Sequence, residues 1–562
     1  VNLASVTAPE GEVRIATTGI GKIEIGSLEA ERMSLVTGHG DVDVGAVTGT
    51  DLVVAANGSV QPGIYDLSGA VDIDALAIGR SADEPLTLIG GEEPREIALY
   101  GEYGMYVALD DGDIYEIDAL GAGATGVGIN LNAGSDGVAA LTLNSVATAG
   151  SDVTIEADIL AIAGDVASAG GDVTLRSQIG ALTMADYTTV DAGNGHITLT
   201  SAGDMTLASL KTVGQDPDAP MIYVSAIEGL TLAATSGPHV AAGVPGDAHA
   251  VVYAGAIATG PGQSLWMDAS RITVYSGSGD LHLISTLAET GIVSLVNGNG
   301  DDIDFVALGD IVLENAELKS VDPLGTEAGR ISLNSNYGDI DGSVSTLAAS
   351  ELTMVTPEGR IGAPGSPVEL ASNGSTRMRV GATGVIALDV AGDLDAAFIM
   401  SEGGSVSVTA SGTAQIDLIG GSGWVSVTAT EATVTQATEG TVVPTLPEIT
   451  NLITPARFPE LTAGPQPELT VTETGGDGTD PGDTDPGDPG TDGDDPDDGD
   501  TPPCGAITCD DPDDGDPGDD GTDDDGTGDG TDDDGTGDGD PADDGTAGDG
   551  SGRGGGTGFL DG

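Results

Sequence analysis

The chain has 562 residues, 93 acidic against 15 basic side chains, and a formal net charge of −78. Glycine accounts for 91 residues and aromatics for only 3%, far from the balance of an average globular domain. So much negative charge repels phosphate and anionic lipid, which makes nucleic acids and membrane surfaces poor partners. No apolar run approaches the 18 or so residues that a membrane-spanning helix needs.

The chain starts at Val1, without a basic leader or an apolar leader segment, which reads as a processed chain or a piece of a longer one. From there to about residue 440 one unit recurs: a glycine, a polar or small residue, then apolar–x–apolar. It runs Gly21-Lys-Ile-Glu-Ile, Gly40-Asp-Val-Asp-Val, Gly171-Asp-Val-Thr-Leu, Gly195-His-Ile-Thr-Leu and Gly203-Asp-Met-Thr-Leu. Later copies are Gly279-Asp-Leu-His-Leu, Gly309-Asp-Ile-Val-Leu, Gly329-Arg-Ile-Ser-Leu, Gly384-Val-Ile-Ala-Leu and Gly404-Ser-Val-Ser-Val. Alternation of period two predicts short strands with one buried face, and the glycine is expected to supply a left-handed turn. Val173, Leu175, Ile197, Leu199, Met205, Leu207, Ile331, Leu333, Val406 and Val408 are then inward.

The spacing sets the architecture. Gly21 to Gly40 and Gly404 to Gly423 are 19 residues; Gly309 to Gly329 and Gly384 to Gly404 are 20. A coil of about 20 residues with two or three short strands predicts an all-β parallel β-helix, a solenoid over 1–440. Regularly stacked, it would be on the order of 100 Å long. Two stretches break the rhythm and are expected as irregular insertions. Residues 81–120 hold Tyr100, Tyr103, Tyr106 and Tyr115, and 212–267 hold five prolines.

Residues 441–474 carry Pro444, Pro447, Pro455, Pro459, Pro465 and Pro467 and read as an extended linker. Residues 475–562 contain 31 Asp, no Glu and a single basic residue, Arg553. This Asp/Gly/Pro tail has too little apolar surface to offset the entropy of ordering and is expected to be a disordered spacer. Two near-identical nonapeptides place Asp523, Asp524, Asp525 and Asp529 beside Asp532, Asp533, Asp534 and Asp538. Carboxylates suit Ca²⁺, but the nonapeptides have no apolar residue to build a core, so weak, diffuse Ca²⁺ binding is expected instead of a folded site. Cys504 and Cys509 are the only cysteines, and in an exported protein they would join as a small disulfide loop.

The Gly-x-apolar-x-apolar coils, the phrase Gly193-Asn-Gly-His-Ile-Thr-Leu-Thr-Ser-Ala-Gly-Asp-Met-Thr-Leu207, and Gly359-Arg-Ile-Gly-Ala-Pro-Gly-Ser-Pro-Val-Glu-Leu370 resemble filamentous-haemagglutinin-type bacterial exoproteins of two-partner secretion systems. The resemblance covers residues 1–440. It implies a right-handed parallel β-helix, export to the bacterial cell surface or medium, and often adhesion to a receptor or polysaccharide. A terminal cysteine pair in related adhesins holds them at an outer-membrane secretion partner, a role that would fall here on Cys504 and Cys509.

Parallel β-helices also host polysaccharide lyases and hydrolases. Gly38-His39-Gly40 resembles one element of polygalacturonases, but the Asn-Thr-Asp and Asp-Asp elements expected before it are absent. Bases are scattered (Arg176, Arg271, Arg330, Arg360, Arg377, Arg379), and His39, His196, His239, His249 and His282 share no metal-ligand spacing. His239 and His249 are expected at the surface. The leading expectation is a secreted or cell-surface structural and adhesive filament with no catalytic site and no cofactor. The alternatives are a polysaccharide-acting β-helix enzyme and a cation-dependent matrix or surface-layer component. An enzyme would gather acids and one base on adjacent coils; a filament would spread them. The scarcity of lysine, only Lys22, Lys211 and Lys319, fits either a salty habitat or simple solubility of a large exported protein.

Overall fold

A computed structural model describes residues 1–439, apart from 90–95, 110–113, 124–127, 134–139, 217, 244–247, 258–262 and 373. These residues form no helix. Their strands pair in parallel, coil upon coil, as a β-solenoid of about 19 turns. Early coils are single long strands, Asn2–Thr17, Ile23–Thr37 and Val42–Val60. Middle coils break into three: Val153–Ala157, Ile159–Ile162 and Val166–Ala167 lie under Val173–Ser177, Leu182–Met184 and Thr189–Gly193. The linker 441–474, the tail 475–562, Cys504, Cys509 and the paired Asp runs lie outside the described residues.

The core is a set of columns, one residue per coil. Val153, Val173, Ile197 and Ile222 stack in register, as do Ile155, Leu175, Leu199 and Val224. All ten residues expected to face inward are at most 1% exposed. Each coil stacks its apolar pair on those of the coils above and below, which is how a chain with so few aromatics closes a core. A second column changes character along the stack. It begins Leu28, Val47, Tyr65, Leu88, Leu109. It passes through Ala133 and Ala157 to Ser177 and Ser201, and ends with Ser276, Asn297 and Ser320. These residues are all buried.

The buried hydroxyls are satisfied by the turns. Thr37 Oγ1 donates to the Gly40 carbonyl at 2.5 Å, Thr148 to Ser151 at 2.6 Å, Ser177 to Gly180 at 2.9 Å and Ser201 to Asp204 at 3.0 Å. In later coils the hydroxyl accepts from the turn instead, from Gly338 N to Ser335 and from Gly404 N to Ser401. A Ser or Thr three residues before the turn thus clasps it, and a buried polar group is left paired.

The recurring glycines differ from expectation. Of those opening the repeats, Gly279 alone has a left-handed φ, +84°. The others are glycine because the turns stack too closely for a side chain. A Cβ on Gly40 would sit 2.2 Å from the Gly21 carbonyl oxygen, and one on Gly195 2.1 Å from that of Gly171.

The coil length also differs from a uniform 19–20 residues. Ile23 pairs with Val42, but Val173 pairs with Ile197 and Ile303 with Ile331, spacings of 19, 24 and 28. Gly309 and Gly329 belong to different columns: Ile311 pairs with Ile340, and Ile331 with Ile303. Their 20-residue interval is not a coil. Residues 81–120 and 212–267 stay within the stack where they are described. Leu86–Ile89, Glu96–Gly101 and Met105–Leu109 keep parallel register with their neighbours, as do Ile222–Leu232, Val240–Ala242 and His249–Ile257. The extra length there goes into returns between strands, such as 233–239, because insertion into a strand would flip its buried face.

Candidate functional site

The inward columns carry apolar side chains and hydroxyls, so the acid–base groups that follow lie on the outer surface and in the turns. The turn aspartates are already engaged. Six of them reach across to the next coil and accept a backbone N–H. Asp41 accepts from Ser59 at 2.9 Å, Asp152 from Asp172 at 2.9 Å and Asp172 from His196 at 2.8 Å. Asp302 accepts from Arg330 at 2.7 Å, Asp310 from Asp339 at 2.7 Å and Asp339 from Arg360 at 2.9 Å. The Gly-Asp pair of the repeat is therefore a device for stacking: glycine admits the close approach, and the carboxylate caps a turn donor with a charge-assisted bond.

The scattered bases lie in ion pairs between coils. Arg271 meets Glu314 at 2.7 Å, Arg379 meets Glu351 at 2.9 Å, and Arg176 is 4.0 Å from Glu156. Arg360 bridges Asp339 at 2.8 Å and Asp341 at 3.1 Å, and Arg377 pairs with Asp417. Partial burial pushes the Asp341 carboxyl above the usual carboxylate range despite the pull of Arg360. Pairs this exposed contribute little stability singly.

The densest acid–base group sits on three successive coils. His282 and Asp304 are register partners, with Nδ1 and Oδ2 3.2 Å apart. Arg330 reaches Asp302 at 3.3 Å and stands 3.9 Å from Asp304. The Asp304 side chain is only 15% exposed. Among the described residues, neither Asp304 Oδ1 nor Arg330 Nε has a hydrogen-bond partner. A shielded carboxylate flanked by an imidazole and a guanidinium can exchange a proton with a hydroxyl or a sugar carbon. The alternation signal shows none of this, because all three side chains project from the outward positions of otherwise ordinary strands.

His39 is exposed in a turn held by Thr37 and by Asn57 Nδ2, which donates to the Gly38 carbonyl at 2.7 Å. His196 lies between Asp172, 3.1 Å from Nδ1, and Asp216, 3.3 Å from Nε2. Against expectation, His239 is buried, while His249 is half-buried. His239 is 8% exposed, its Nδ1 accepting from Trp266 N at 3.3 Å, and His249 Nε2 lies 2.9 Å from Thr273 Oγ1. Burial lowers the affinity of both imidazoles for a proton. Among the described residues, no group of three His, Cys, Asp or Glu is placed to hold a metal ion.

Comparison with family models, characterised proteins and solved structures finds no match to this chain.

Proposed function

We propose that the chain is a structural and adhesive segment of a secreted or bacterial cell-surface filament. The observation that carries this reading is the distribution of charge. Ion pairs are spread along the stack, from Lys22–Asp43 through Arg176–Glu156 to Arg377–Asp417, and several turn aspartates are taken up in joining one coil to the next. Such a surface suits a spacer that holds a distant contact point away from a cell, and the −78 charge keeps parallel copies apart in solution. The likeness of the repeats to filamentous-haemagglutinin-type exoproteins supports the same reading and suggests export. Immunogold electron microscopy of the source cells, with fractionation of cytoplasm, envelope and medium, tests it. Label on surface fibres or in the medium is the expected result; label confined to the cytoplasm would overturn it.

A second reading, a polysaccharide-acting β-helix enzyme, is favoured by the grouping of His282, Asp304 and Arg330. It requires release of reducing or unsaturated sugar ends from a polysaccharide, and loss of that release in Asp304→Asn.

A further inference from the structure

Aromatic side chains make up 3% of this chain, yet three gather on one outward face. Ser225, Tyr253 and Tyr275 stack in register on successive coils, and Tyr223 stands two residues before Ser225 on the same face. The rings of Tyr223 and Tyr253 are 5.9 Å apart at 50°, those of Tyr253 and Tyr275 6.2 Å apart at 42°. Tilted rings at this separation touch one another without covering one another's faces, and Tyr253 and Tyr275 each remain 39% exposed. Val251, beside them on the sheet, is only 6% exposed.

The border of this face decides its partner. Thr198 and Thr200 precede Tyr223 and Ser225 in register, and Thr273 follows Val251, so hydroxyls rim the rings. Arg271, at the start of the Tyr275 strand, is paired with Glu314, and Lys319, two coils beyond Tyr275 in register, stands two residues after Glu317 on its own strand. No net positive charge is offered to an anion or a lipid headgroup. The strands beneath are hydrogen-bonded to coils on both sides, so the face has no open edge to which a peptide strand could be added. A second copy of so acidic a chain is repelled. What remains is a ladder of tilted, half-exposed rings with hydroxyl neighbours and no net positive charge. The C–H faces of pyranose rings pack on such a surface, while their hydroxyls exchange hydrogen bonds at the rim.

We infer that Tyr223, Tyr253 and Tyr275 form a platform for an uncharged polysaccharide, with the sugar chain running along the stack and neighbouring sugar units lying over neighbouring rings. The inference rests on the adhesive reading above for the source of the ligand, an extracellular glycan, but not for the contact itself.

Native gel electrophoresis of the full chain, in gels cast with hydroxyethylcellulose, galactomannan or laminarin and in parallel with alginate, tests it. The expected result is retardation by at least one neutral polymer, with the alginate gel indistinguishable from a blank. Tyr275→Leu keeps apolar bulk without a flat ring and should abolish the retardation, as should Tyr253→Ala. Tyr253→Phe should retain it. Thermal melts of each variant confirm that the coils are intact, and Tyr275→Leu alone decides the matter if the alanine variant unfolds. Absence of retardation by all three neutral polymers, equal retardation by alginate, or full retardation of a folded Tyr275→Leu would each overturn the proposal. Cytoplasmic label in the localisation experiment would leave gel retardation unchanged, so the two readings fail separately.

Discussion

Asp172 holds His196 twice: one carboxylate oxygen accepts the His196 backbone N–H at 2.8 Å and lies 3.1 Å from its Nδ1. One side chain thus joins two coils through both the turn and the side chain above it. Removing it in Asp172→Ala should cost about 1 kcal/mol, at the low end for a charged hydrogen bond because the carboxylate is half exposed. Asp172→Asn should cost less, since an amide oxygen still accepts. Urea unfolding of the three proteins checks the order; an alanine variant as stable as the parent would remove the turn aspartates from any account of stacking.

The crowding of the turns separates two uses of glycine. Gly195→Ala places a methyl 2.1 Å from the Gly171 carbonyl oxygen and should destabilise by about 1–3 kcal/mol. Gly195→Asn should be no better. Gly325 is the opposite case, with φ +67° and open space around it. Asparagine tolerates that backbone, so Gly325→Asn should lie within about 0.5 kcal/mol of the parent. Melting curves of the two asparagine variants decide whether close approach or backbone handedness is at work.

Tyr65 is fully buried, and among the described residues its hydroxyl has no hydrogen-bond partner. Burial first, and the Asp43 charge second, hold that phenol far above its usual range. Tyr65→Phe should therefore leave stability unchanged or raise it by up to about 1 kcal/mol. Tyr115 is the contrast: its hydroxyl donates to the Leu88 carbonyl at 3.0 Å, and Tyr115→Phe should lower stability by about 1 kcal/mol. Calorimetry of both variants tests the pair.

His239 and His249 make the stack sensitive to mild acid. Burial lowers both folded-state values below 6.5; Arg271 lowers His249 further, while Glu314 opposes it. Above pH 6.5 both histidines are neutral, folded or unfolded. As the pH falls below 6.5 the unfolded chain takes up protons first, so stability is lost until the folded values are passed. The melting midpoint should drop between pH 7 and pH 5, before most carboxylates titrate. The drop should shrink in His239→Gln. A midpoint flat over that window would show that the imidazoles are freely hydrated.

The columns of Val173, Ile197 and their neighbours were legible in the sequence because burial in a strand has a period of exactly two residues. Three things were not. Coil length was obscured because glycines mark every turn without saying which turn, as Gly309 and Gly329 show. The hydroxyl clasps at Thr37, Ser177 and Ser201 read as ordinary polar residues ending a strand. Tyr223, Tyr253 and Tyr275, with Asp304 and Arg330, come together only through register. Their spacing along the chain follows returns of unequal length and so carries no period.

The inner column that runs from Leu28 through Tyr65 to Ser320 bears on how such a chain can lengthen. Where adjacent members match, as at Ser177 and Ser201, a copied coil would meet neighbours of its own size. Between Val47, Tyr65 and Leu88 the copy would set two buried phenols one above the other. Growth by tandem duplication is thus closed near Tyr65 and open in the serine-lined middle of the stack, and length polymorphism among natural variants should concentrate in that middle.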